Sequence, residues 1–317
     1  METLSPDQEM ALARQALEHN DLPGAADHAG NALAADPMRP DGTDLLDRVI
    51  AAAADPLALA PLDGASLSRA AVRAYVLAHL GRFSEAIDLL LQLVQARPDL
   101  AYLEWAVEWL RRPEAVGMID LARPRLFLKT LVDQLRRLSA DGHGRATLER
   151  VPTFIEVVRR TQPQDTMFLF FSASLLRRTG RRDLAMDLAR EAFDIDPCYL
   201  SAISVALVYN EQGQTDESLT WYRTALEFRP DDVAVRLDIA DTLYQHNRLE
   251  EAEAAYAEAL RYEPDNGWAL ASYYAIRHQR EGDDAWLDKL RRLAEEQPDN
   301  NRAGDLVARL QGSGEEP

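Results

Sequence analysis

Residues 180–197 read GRRDLAMDLAREAFDIDP, opening on Gly180 and closing on Pro197. Between them, Ala185, Ala189 and Ala192 are spaced four and then three apart. Those offsets place side chains on one face of a helix. Small residues on such a face let a neighbouring helix approach closely. A glycine suits the left-handed turn that ends a preceding helix, and a proline stops the helix that follows. The stretch therefore predicts the second helix of a helical hairpin.

The pattern recurs along the chain. Residues 20–37, 81–98, 213–230, 247–264 and 281–298 have the same length and end in proline. Their small or marker positions include Ala25, Ala86, Ser218, Ala252 and Trp286, then Ala29, Leu90, Tyr222, Tyr256 and Leu290. Pro163, Pro197, Pro230, Pro264 and Pro298 form a ladder with steps of 34, 33, 34 and 34 residues, so 146–163 joins the series with bulky Val151, Ile155 and Val158. The residues before each segment supply the partner helix: in 199–212, Ala202, Val205, Ala206 and Tyr209 share one stripe. A single hairpin of this length buries too little to fold alone, so neighbours must stack.

This spacing resembles the tetratricopeptide repeat family over roughly 6–37, 67–98 and 166–298. The units between 166 and 264 match it most specifically, with Ala173, Ala206 and Ala240 at the family's small position and Leu176, Tyr209 and Leu243 three residues on. The last unit departs, because Tyr274 and Trp286 replace small residues. The resemblance implies an all-α fold: a right-handed superhelix, or α-solenoid, of helical hairpins. Irregular helices fill the N-terminal half, and 303–311 reads as a C-terminal capping helix.

Between the hairpins, 41–54 reads as a helix with Leu45, Leu46, Val49 and Ile50 inward, followed by a loop at 55–66. Residues 100–112 place Tyr102, Trp105, Trp109 and Leu110 on one buried face. An amphipathic helix over 124–138 runs through Leu126, Leu128, Leu131, Val132 and Leu135, and SADGHG at 139–144 forms a turn. RRPEAVGM at 111–118 breaks the pattern and marks the expected seam. The expected division is an N-terminal helical region at 1–112, with two repeat-like hairpins, and a C-terminal repeat superhelix at 113–317. The tail SGEEP reads as loose.

Composition narrows the chemistry. Cys198 is the single cysteine, so a disulfide framework is excluded and a reducing cytoplasm is expected. The start lacks the basic-then-apolar order of a secretory signal, and no window is apolar enough to span a membrane. A formal net charge of −18 argues against nucleic acid or anionic membrane as the main partner. Lysine occurs only at Lys129 and Lys289, and abundant Ala, Asp and Leu suggest a GC-rich bacterial source. None of the six histidines pairs with another ligand at a recognised metal spacing. His143 in GHG reads as an exposed turn residue, and Cys198 as a spectator thiol. No catalytic residue, cofactor or metal is expected.

Charge is uneven. Residues 111–160 carry eleven Arg or Lys against six acids, a net of +5, whereas 231–265 hold ten acids against three arginines. The basic island either receives an acidic partner segment, or is a solvated face, or docks on the chain's own acids.

In the resembled family, the first helix of each hairpin lines a concave groove. Carried over, the groove positions are Met167, Phe170, Ser174 and Arg177; Leu200, Ile203, Leu207 and Asn210; Leu237, Asp241 and Tyr244; and Trp268, Ala271 and His278. This implies a scaffold or adaptor that binds a partner helix or extended peptide of another protein in an apolar groove. The alternative is a sensor taking a peptide or small apolar signal. An enzyme ranks third, and self-association stays open.

Overall fold

The computed structural model describes residues 4–63, 66–96, 102–120, 122–140, 142–161 and 165–312. Among these every regular element is helical. Pro98, which closes 81–98, Pro163 of the proline ladder, and the SGEEP tail from Ser313 lie outside the described residues.

The contacts divide the chain into two compact units, which part between Gly180 and Arg181. In the first, α1 (Pro6–Glu18) and α2 (Leu22–Leu33) form a hairpin, followed by α3 (Pro40–Ala52) and a 3₁₀ turn at Pro56–Leu59. A second hairpin pairs α4 (Leu67–His79) with α5 (Phe83–Ala96). Then come α6 (Leu103–Leu110), the short α7 (Pro113–Gly117), α8 (Ala122–Ala140), α9 (Gly142–Thr161) and α10 (Thr166–Arg178).

In the second unit, α11 (Arg182–Ile195) packs on α12 (Tyr199–Glu211), and α12 pairs with α13 (Thr215–Phe228). The next hairpins are α14 (Val233–Gln245) with α15 (Leu249–Tyr262), and α16 (Gly267–Glu281) with α17 (Asp284–Glu296). Helix α18 (Asn301–Gly312) covers the last hairpin through Ala303 and Leu306, which join Ala271, Ala275, Leu287, Leu290 and Leu293 in one core.

The repeat residues do what their spacing implies. Ala185, Ala189, Ala192, Ala252 and Ala259 are fully buried. Ser218 occupies a small position and donates its hydroxyl to the Ala206 carbonyl of α12 at 2.9 Å, so even the polar substitute is satisfied at close approach. The hairpin turns use left-handed backbone at Gly213 (φ 74°) and Asn247 (φ 57°), a conformation that glycine and asparagine adopt at little cost. In the last hairpin the left-handed residue is Gly282, one position later than the repeat expects, which matches the irregularity of that unit.

Three local expectations need correction. Residues 111–118 do not separate the units: α7 packs on both α6 and α9, inside the first unit. Leu126 faces out at 44% exposure, while Phe127, Leu128, Leu131, Leu135 and Leu138 are buried. Only the first inward position of α8 moves by one residue, because Phe127 packs edge-to-face against Phe154 of α9 at 5.6 Å and claims the core position. His143 is not in a loop: α9 already begins at Gly142, and the ring reaches back to a buried acid.

Candidate interaction face and its polar anchors

In the second unit, the groove positions on α12 and α14 are side chains that packing leaves half-covered. Ile203 and Leu207 lean on the core formed by Ala202, Ala206, Tyr222, Ala225 and Val235 without being enclosed by it. Leu200 is likewise half-buried. Leu237 and Tyr244 sit in the same way against the next core, around Ala240, Leu243 and Ala269. Trp268, on the first turn of α16, keeps 42% of its surface exposed. Ala271, by contrast, is fully buried beneath α18 and cannot line a groove.

The polar members are held in place. Asp241 accepts from the indole N–H of Trp268 at 3.0 and 3.2 Å, from the Tyr256 hydroxyl, and from Arg302 Nη2 at 3.3 Å. Burial, with Asp241 beside it, pushes the Tyr256 hydroxyl well above the ordinary phenol range, so it stays a donor. The Arg302 guanidinium lies over the rings of Trp268 (4.7 Å) and Tyr244 (5.4 Å), and its Nε donates to Ser272 Oγ at 3.1 Å. Arg302 stands outside the repeat pattern, and nothing in its local sequence signals this role.

Asn210 differs from its neighbours. Its side-chain oxygen is buried without a hydrogen-bond partner, a state that normally costs about 1–3 kcal/mol. His278 turns toward the α16–α17 connection, where its Nδ1 lies 3.1 Å from the Asp283 carbonyl. The remaining positions belong to the first unit. On α10, Met167, Phe170 and Arg177 are half-buried, and Phe170 packs edge-to-face on Phe171 at 5.4 Å.

Among the described residues no group of three or more His, Cys, Asp or Glu is placed to hold a metal ion, and no helix is long and apolar enough to cross a membrane. Cys198 caps α12, with its backbone N–H donating to Ser201 Oγ at 3.0 Å. Much of the basic island is engaged inside the first unit: Arg123 with Asp88 (2.8 Å), Lys129 with Asp133 (2.6 Å), Arg160 with Glu156 (2.8 Å), and Arg150 with buried Glu104. Arg136 and Arg137 on α8 are exposed.

Residues 209–273 match the tetratricopeptide repeat model. That segment runs from the end of α12 into α16, so it includes Leu237, Asp241, Tyr244 and Trp268 but not Leu200, Ile203 or Leu207. That segment is similar to the tetratricopeptide repeat, and the described residues form an all-α fold of helical hairpins. A curated human relative, general transcription factor 3C polypeptide 3, is 26% identical over 120 residues, 37% of this chain. The chain spans 14% of that relative's length.

Solved structures with similar folds include YrrB, described as a repeat protein of this kind with an unusual peptide-binding site (16% identity, 58% of this chain and 90% of that one, TM-score 0.42). A repeat protein from Parabacteroides merdae aligns over 96% of this chain and 97% of its own at 10% identity, TM-score 0.45. PilF of Pseudomonas aeruginosa aligns over 77% and 97% at 12% identity, TM-score 0.44.

Proposed function

We propose that this protein is an interaction scaffold or adaptor whose repeat face holds an apolar segment of another protein, either an amphipathic helix or an extended peptide. The observation that carries the reading is the half-covered row Leu200, Ile203, Leu207, Leu237 and Tyr244, ending in the 42% exposed Trp268. Apolar surface left partly open on consecutive first helices marks a contact site. Apolar anchors with a few fixed polar groups suit a helix or strand guest. The net charge of −18 favours a protein guest over nucleic acid or an anionic membrane. The single cysteine and the Ala-, Asp- and Leu-rich composition support a bacterial cytoplasmic setting.

The test compares the wild-type chain with Ile203→Asp and Trp268→Ala in affinity capture from the source organism, identifying what is retained by mass spectrometry. Both variants should keep wild-type circular dichroism and lose the same retained partner, since truncating an aromatic anchor typically weakens binding by about 2 kcal/mol or more. Retention of that partner at full strength by both variants overturns the proposal.

A further inference from the structure

The last helical residue of α11, α13 and α15 is apolar and exposed in each case: Ile195 (41%), Phe228 (43%) and Tyr262 (46%). Each stands two positions before a ladder proline, Pro197, Pro230 or Pro264. The three therefore hold one register in successive hairpins, and α11 to α15 pack in order within the second unit. They form a row along the edge where the second helices end. The groove positions are separate, because they lie on the first helices. In the last hairpin the same register, at the end of α17, holds an exposed Glu296. A charged side chain serves there, so packing within a hairpin does not demand an apolar one.

The row is fixed in place. Each side chain stands on a helix end, and the proline two residues on restricts the backbone that follows. The Arg236 guanidinium lies 4.0 Å over the Tyr262 ring and donates to its hydroxyl at 3.0 Å, which sets that ring's orientation. The surroundings are acidic. Asp194 and Asp196 flank Ile195, Glu227 and Asp231 lie either side of Phe228, and Glu263 and Asp265 follow Tyr262. All of these acids are exposed, and none is in an ion pair among the described residues. The exposed cations at this edge are Arg229, whose guanidinium lies 4.1 Å over the Tyr199 ring, and Arg261.

Apolar steps between unneutralised acids select among partners. Nucleic acid, an anionic membrane or an acidic protein segment would meet the carboxylates. A second copy presenting this edge would bring the same acids. A segment whose apolar side chains alternate with Lys or Arg gains burial and charge complementarity together. We infer that this edge docks a basic amphipathic segment of another protein. Ile195, Phe228 and Tyr262 take its apolar side chains, and the surrounding carboxylates face its Lys or Arg groups.

The experiment uses two fluorescein-labelled designed peptides with the same leucine face, one carrying lysine and the other glutamate on its polar face. In anisotropy titrations with the full chain at low salt, the lysine peptide should saturate and bind at least ~10-fold tighter than the glutamate peptide. That preference should shrink as NaCl rises from about 50 to about 500 mM, since exposed charges are screened. Combining Ile195→Ser with Phe228→Ser keeps the net charge and should weaken the lysine peptide by about tenfold or more. Leu184→Ser, at a 48% exposed leucine near the opposite end of α11, should leave its affinity unchanged. All variants should keep wild-type circular dichroism, because each altered side chain is exposed. A lysine peptide that does not saturate, equal affinity for the two peptides, or full-strength binding by the double variant overturns the inference. So does a self-associated wild type, seen by sedimentation, that the double variant dissociates, since the edge would then belong to a second copy.

Discussion

Arg302 Nη2 donates to Asp241 Oδ1 at 3.3 Å, joining the capping helix α18 to α14 across the intervening hairpin. The two residues stand 61 positions apart, and the same guanidinium covers Trp268. The polar end of the repeat face is therefore assembled by the cap as well as by the repeats.

Arg302→Ala should accordingly do two things. It should destabilise the second unit by about 1–2 kcal/mol, because a hydrogen bond to a charged group is lost from a site with little solvent access. It should also shift the Trp268 emission, since a cation leaves its ring face. Urea unfolding followed by tryptophan fluorescence, with Trp268→Phe as the reference, checks both. Unchanged stability and emission would show that α18 is held by its apolar contacts alone.

Removing residues 299–317 is a stronger cut. It uncovers Leu287, Leu290 and Leu293, which share a core with Ala303 and Leu306. Terminal repeats need a cap with a polar outer face to remain soluble. The truncated chain should melt at a lower temperature and bind a hydrophobic dye that the full chain excludes. A melt identical to that of the full chain would count against stacked hairpins sharing one core.

Glu104 is 3% exposed and is held by His143 Nδ1 at 2.9 Å and by Arg150. Glu104→Ala removes a buried acceptor that two partly exposed cations share, and should destabilise the first unit by about 1–3 kcal/mol. His143→Ala should cost much less, since Arg150 still meets the carboxylate. Comparing the two denaturation midpoints decides the ordering; equal losses would make the imidazole, not the arginine, the principal partner.

Glu253 gives a pH signature. Burial raises its pKa, but hydrogen bonds and attraction from Arg277 at 2.8 Å and from Arg280 outweigh this and hold it below the ordinary carboxylate range. A carboxylate whose folded pKa is depressed stabilises above its unfolded pKa, and that stability fades as pH falls through the folded one. The wild type should thus lose stability as the pH falls through and below the ordinary glutamate range. Glu253→Gln should be less stable at neutral pH by about 1–3 kcal/mol and should lose less between neutral pH and acid. Parallel stability curves for the two proteins across that range would remove Glu253 from the account.

The helices, their hairpin pairing and most of the buried face were legible in the sequence. Those features are local: a buried stripe at spacings of three and four, as in Ala185, Ala189 and Ala192, and a left-handed turn at Gly213 or Asn247, are encoded within a few adjacent residues. What failed did so where a contact from elsewhere intervened. Leu126 and Phe127 are equally good candidates for an inward position by spacing alone, and Phe154 on another helix chose between them. His143 reads as a turn residue in sequence because its partner, Glu104, lies 39 positions away. The tertiary structure alone decided that the units part after Gly180, that Arg302 meets Asp241, and that Asp47, Tyr75, Trp105 and Trp109 surround one cavity. Periodicity reports which side of a helix is buried, because backbone geometry repeats every 3.6 residues; which residues meet there depends on the sizes and shapes of side chains on helices far apart in the chain, and no short window contains them.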